Sequence, residues 1–237
     1  MCISSSFYIE DAKEVMKKVD EKMRGKTSKA EMTIQIVRPT WSREIKMKTW
    51  SKGTQYALIT ITAPAKEKGT VYLKREKEVW NWIPSIERII KLPPSMMSQS
   101  WMGTDFTNDD LVKESSVIND YTHSFEKDSV IEKKDCYKIK LTPKPESAVV
   151  WGKILIWVDK KDYIELRAEF YDEEGILIST MQNSDIKMLG GRLLPGKVEM
   201  TPADKKEQKT VMIYNSILFD QAIEDDFFAP ENMKKVN

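Results

Sequence analysis

Along much of this chain apolar and polar residues trade places one by one. Tyr137, Ile139 and Leu141 stand opposite Lys138 and Lys140, and Ile164, Leu166, Ala168 and Phe170 stand opposite Glu165, Arg167 and Glu169. A period of two places the apolar set on one face of an extended strand and the charged set on the other. The same alternation runs through Ala30, Met32, Ile34 and Ile36, through Ile45 and Met47, and later through Val198 and Met200. Turn-forming stretches separate these segments, among them Ser51 to Thr54, Lys66 to Gly69, Asp172 to Gly175, Gly190-Gly191 and Pro202 to Asp204. The spacing predicts a mainly β protein of about eleven strands joined by short turns, the pattern of an antiparallel meander.

Such a sheet has one apolar face to cover, and little to cover it with. From Ile9 to Arg24, residues Ala12, Val15, Met16, Val19 and Met23 recur at three- and four-residue spacing, with acids early and bases late. That predicts one amphipathic helix over 9–24, capped by Ser6 and stopped at Gly25. One helix cannot cover eleven flat strands. The expected resolution is a strongly curved sheet, an unclosed half-barrel, whose apolar face lines a concavity under a helical lid. The length of 237 residues suits one such domain spanning 1–237.

The alternation fails in the stretch from Trp80 to Leu111. Leu92 to Thr104 carries no charge, holds Pro93 and Pro94, and brings Met96, Met97, Trp101 and Met102 together. We read 92–113 as a lid inserted between strands, with a packed core connection the alternative, since methionine refits different apolar partners. The residues expected to meet in that concavity, as packed core or as the wall of a ligand cavity, are Met32, Ile34, Ile36, Ile45, Met47, Trp80, Trp82, Ile164, Leu166 and Phe170 on strands, with Met96, Met97, Trp101, Met102 and Phe106 on the lid. A short closing segment over Asp225 to Met233 is expected to plug one end.

Composition excludes several classes of function. The 38 basic and 37 acidic residues cancel, which leaves no nucleic-acid footprint, and no apolar run reaches the roughly 20 residues of a membrane helix. The single histidine, His123, stands near no nucleophile motif, and Thr107-Asn108-Asp109-Asp110 reads as a threonine cap with an acid three residues on. Asp105 is assigned to the same capping role. No catalytic residues, metal site or cofactor are expected. Cys2 and Cys136 read as unpaired thiols, with Cys2 as a lipid-attachment residue the alternative. The first seven residues lack the basic start and apolar middle of an export signal, which fits a cytoplasmic protein or one whose signal has been removed.

The segment Trp82-Ile83-Pro84, Glu87-Arg88, Ser100-Trp101-Met102-Gly103-Thr104-Asp105-Phe106-Thr107 and Asp110-Leu111 resembles the signature of the outer-membrane lipoprotein-sorting, LolA-like family. Trp101 stands where that family usually has phenylalanine, and Asn108 where an aromatic residue is common. The resemblance implies an unclosed barrel covered by helices. It also implies a periplasmic carrier of the acyl chains of lipoproteins or related lipids, with an inner-membrane donor transporter and an outer-membrane acceptor as candidate partners. A lipid-sensing or accessory domain that partners a membrane protein is the alternative, and a lipid hydrolase the third reading.

Overall fold

The computed structural model describes residues 11–113, 117–205 and 207–236. After the helix α1 (Ala12–Arg24) the chain forms β1 (Thr27–Arg38), β2 (Trp41–Lys52), β3 (Tyr56–Ala63), β4 (Val71–Arg75), β5 (Glu78–Ile83) and β6 (Arg88–Lys91). A second series follows: β7 (Tyr121–Phe125), β8 (Ser129–Ile131), β9 (Lys134–Pro143), β10 (Lys153–Asp159), β11 (Glu165–Tyr171), β12 (Leu177–Leu189), β13 (Arg192–Pro202) and β14 (Lys209–Phe219). Among the described residues fourteen strands therefore replace the expected eleven, and β6 and β8 are among those too short for alternation to be legible.

All fourteen belong to one antiparallel sheet, ordered β6-β5-β4-β3-β2-β1-β14-β13-β12-β11-β10-β9-β7, with β8 beside β9. Two meanders are joined where β1 pairs with β14, and among the described residues β6 forms one edge of the sheet while β7 and β8, both beside β9, form the other. Both edges are short, which limits the template they offer to another chain. Thirteen strands side by side, about 4.8 Å apart, span close to 60 Å if flat. Yet residues of β1, β2, β4, β9, β10 and β14, such as Ile34, Ile45, Tyr72, Ile139, Ile156 and Ile217, share one buried cluster. The two wings bend around a common interior.

This topology dictates the course of residues 92–113 and 117–120. Having reached one edge at β6, the chain must cross to the other edge before β7 can start. The helix α1 lies on the same interior and buries Ala12, Val15, Met16 and Val19. It starts later than the expected Ile9 because Asp11 is its cap: the Asp11 carboxylate accepts the Glu14 N–H at 2.8 Å. The Ser6 cap and Cys2 lie outside the described residues. Gly25 stops the helix as expected, at φ 64°, with its N–H donating to the Glu21 carbonyl.

Two smaller clusters occupy the opposite face. Leu58, Val71 and Leu73 pack with Phe228 and Met233, and Trp80 and Trp82 join them. The terminal turns Asp225–Phe228 and Pro230–Lys235 thus cover the outside of β3 to β5 instead of plugging an end. This explains why both faces of β3 are apolar: Ile59 and Ile61 face the interior, and Leu58 faces the terminal turns. The third cluster holds Cys136, Trp157, Ile164 and Leu166.

Candidate functional site

The crossing segment builds its own framework before it meets the sheet. Met102 and Gly103 take φ values of 52° and 79°, which turns the chain so that the Trp101 N–H donates to the Phe106 carbonyl at 2.9 Å. The Thr104 hydroxyl donates to the Trp101 carbonyl at 2.7 Å, and the Asn108 amide to the Met96 carbonyl at 2.9 Å. Among the described residues, helix in this segment is limited to the turns Pro94–Met96 and Asp109–Lys113. The cover is a hydrogen-bonded loop more than a helical lid, because two prolines and the 101–106 turn interrupt any longer helix.

Three anchors hold it down. Trp101 is fully buried with its ring 5.6 Å from that of Tyr72. Arg38 clamps Asp105 through bonds of 3.0 and 3.1 Å, and the Thr210 hydroxyl donates to the same carboxylate at 2.7 Å. Asp105 is an ion-pair residue, therefore, and not a cap. Further along, the Thr107 N–H donates to Asp110 at 2.8 Å and the Asp110 N–H to the Thr107 hydroxyl at 3.1 Å. That is the expected reciprocal cap. Asp110 also accepts the Trp151 indole N–H at 3.0 Å, and burial raises its carboxyl against the opposing effect of these bonds. The His123 ring is half-buried and bonded to the Val117 carbonyl at 2.7 Å, and burial lowers its pKa.

Between sheet, helix and crossing segment lies a cavity of about 370 Å³. Met16, Val19 and Met23 of α1 form one side, and Phe106, Leu111 and Val117 of the crossing segment another. The sheet supplies residues of β1, β2, β3, β7, β10, β11, β12, β13 and β14, and seven wall residues are methionines: 16, 23, 32, 47, 181, 200 and 212. This volume falls within the roughly 300–1,000 Å³ usual for small-molecule sites. A smaller cavity of about 180 Å³ adjoins it and shares Val19, Met23, Glu165, Met181, Val198, Met212 and Tyr214 with it. Among the described residues no three His, Cys, Asp or Glu side chains are grouped to hold a metal ion.

Of the residues expected to meet a ligand, Met32, Met47, Phe106 and Phe170 line the larger cavity. Ile34, Ile36, Ile45, Met97 and Trp101 are buried in the same interior, with Met96 and Met102 packed against it, but none of these seven reaches the cavity wall. Trp80 and Trp82 belong to the outer cluster with the terminal turns. Leu166 lies in the third cluster, and so does Ile164, which also borders the smaller cavity. The expectation that Ile164 and Leu166 share a face with Phe170 fails at a β-bulge: Trp157 pairs with Arg167, but Val158 pairs with Glu165. Beyond such a bulge the inward and outward sets exchange places. Sequence reading also missed Glu165 and Trp151 as cavity residues. Trp151 sits in a loop that has no period, and Glu165 was assigned to the wet face.

Solved structures match this bent sheet with its covered apolar cavity over nearly the whole chain. A domain from Vibrio parahaemolyticus described as an outer membrane lipoprotein-sorting protein matches with a TM-score of 0.83 and 21% identity, covering 94% of this chain and 98% of that one. A LolA superfamily protein from Nitrosomonas europaea matches at 0.81 and 24%, covering 93% and 98%. A DUF1329 family protein from Desulfovibrio piger matches at 0.83 and 21%, covering 94% and 97%. At these identities the likeness defines the fold. A family model described as "-like: Uncharacterized protein" matches residues 53–235, and the chain belongs to that family. No curated protein matches it.

Proposed function

We propose that this protein is a single-domain periplasmic carrier that shields the acyl chains of lipoproteins, or of related lipids, for delivery towards the outer membrane. The observation that carries this reading is the methionine-walled cavity lying between the two wings of a curved, unclosed sheet, α1 and the crossing segment. An acyl chain held there leaves water at a gain of about 0.8 kcal/mol per methylene. Methionines from six elements let the wall refit chains of different length and branching. The lipoprotein-sorting description of the Vibrio relative supports the choice of cargo.

In this reading the carrier acts by binding and yielding its cargo, and the chemistry is not catalytic. Opening requires release of the crossing segment, whose Phe106, Leu111 and Val117 close the cavity. Its Arg38–Asp105 anchor can break without unfolding the sheet, since β1 and β14 keep their ladder bonds. A donor in the inner membrane and an acceptor in the outer membrane then work by differential affinity for the open and closed states. The test is mass spectrometry of lipid extracted from protein purified from the periplasm without detergent. The proposal predicts an acyl lipid near one per chain. Protein that carries no lipid, and takes up no fluorescent acyl chain, contradicts it.

A further inference from the structure

The apolar interior contains an acid that the alternating pattern assigns to solvent. In β11 Arg167 pairs with Trp157 while Glu165 pairs with Val158, so Leu166 is the extra residue of a bulge. Trp157 lies in the third cluster, on the outer face, and Val158 in the interior. Directly paired residues share a face. The bulge therefore turns the Glu165 side chain inward, and Asn183 of β12 fixes the bulged backbone by donating from Nδ2 to the Glu165 carbonyl oxygen at 2.8 Å.

Glu165 lines both cavities, at their junction. Among the described residues its Oε1 is buried with no hydrogen-bond partner, and so is Oδ1 of Asn183, a residue on the wall of the smaller cavity. Burial pushes the Glu165 carboxyl up to about 7. The other charged side chains on the two walls are Asp20, Asp109, Asp110, Arg24 and Lys22. Both cations are engaged elsewhere, Arg24 with Asp20 and Lys22 with the Asp162 carbonyl. The walls thus carry acids in excess over bases, and two acceptors that lack donors. A buried acceptor left unpaired is costly, and a charged one more so. The site is complementary to a guest that brings hydrogen-bond donors and positive charge together.

We propose that the cavity selects guests carrying a primary ammonium group, which meets Glu165 and Asn183 at the junction while the attached apolar chain occupies the larger cavity. This rests on reading that cavity as an acyl-chain site. A hydroxyl brings a single donor and no charge, and a carboxylate or phosphate placed here repels Glu165, whereas an ammonium offers three donors and a charge-assisted bond. An aminolipid headgroup and the free α-amino group of a lipid-modified polypeptide present the same chemistry.

The experiment is calorimetric titration of the intact protein with decylamine, decanol and decanoate, three probes that share one chain and differ only in the head. Wild-type protein is expected to bind decylamine about tenfold or more tighter than decanol, and decanoate weakest. In Glu165→Gln and Glu165→Met the amine-to-alcohol affinity ratio falls towards one, with thermal unfolding confirming that both variants are folded. Competition against decylamine by phosphatidylethanolamine, and by a diacylated lipopeptide with a free or an acetylated α-amine, then separates the two sources. An amine preference that is absent, or that survives both substitutions, overturns the ammonium site but leaves the apolar cavity standing if decanol binds. Failure of all three probes to bind overturns the carrier reading as well, and displacement by neither natural amphiphile overturns the ammonium assignment.

Discussion

Arg38, the last residue of β1, holds Asp105 of the crossing segment through both prongs of its guanidinium, at 3.0 and 3.1 Å, in a pair whose side chains are 12% and 7% exposed. The pair ties a loop that belongs to neither meander to the strands where the meanders join. Changing Arg38→Met removes charge-assisted bonds worth about 2 kcal/mol to the closed segment. Backbone amides of the segment, such as Trp101 N–H bonded to the Phe106 carbonyl, should exchange with solvent about 30-fold faster by that arithmetic. Amides of the β1–β14 ladder should keep their rates. Equal acceleration in both places means that the pair supports the sheet and not the cover.

Glu165 makes stability depend on pH in a stated direction. Its carboxyl titrates near 4.5 in the unfolded chain and about 7 in the folded one, because burial disfavours the charged form. Between these values the folded state holds a proton that the unfolded state has lost, so its contribution is intact below about pH 4.5 and is lost as pH rises through about 7. The penalty above pH 8 is on the order of 3 kcal/mol. Glu165→Gln should remove it. Chemical denaturation at about pH 5 and pH 8 should show the variant gaining stability over wild type only at the higher value. Asp110, also raised by burial, keeps part of the slope in both proteins.

The Thr107–Asp110 cap predicts a graded pair of losses. Thr107→Ala removes one cap bond and should cost about 1 kcal/mol. Asp110→Ala removes the partner of Thr107 and of the Trp151 indole, and should cost about twice as much. Denaturant midpoints check both. Equal and negligible effects would mean that the cap contributes nothing to the closed state.

Phe228 is fully buried against Leu58, Val71 and Leu73 on the outer face. Phe228→Ala should therefore destabilise by about 3–5 kcal/mol while leaving the affinity for an acyl chain unchanged under conditions where the protein remains folded. Trp80→Phe should likewise spare binding. Loss of affinity at unchanged stability in either variant returns these residues to the ligand site.

What sequence reading reached, and what it missed, follows from what a period of two can report. Ile34, Ile36, Ile45 and Met47 alternate without interruption, and all four are buried in the interior. Trp80 and Trp82 alternate equally well, yet they face the terminal turns, because alternation separates two faces without saying which one lines a cavity. At Leu166 one extra residue exchanged the faces, so a visible pattern gave Glu165 the wrong environment. The crossing segment was legible as a break in the pattern and as a capping motif at Thr107. Its anchor was not, since Arg38 and Asp105 are 67 residues apart and nothing local couples them. The expected lid methionines packed into the core, while the cavity drew its methionines from strands and helix.

The most direct test of the central claim fills the cavity without touching its cover. Ala30 lines it from β1 and is 3% exposed, so Ala30→Phe places a ring in the space assigned to an acyl chain. Stability should change by no more than about 1–2 kcal/mol, because apolar volume enters an existing void and overpacking is limited. Equilibrium binding of a fluorescent acyl chain to the variant and to wild type is the measurement. The account predicts a loss of affinity of at least about tenfold in the folded variant. Binding of equal strength to both proteins would contradict it.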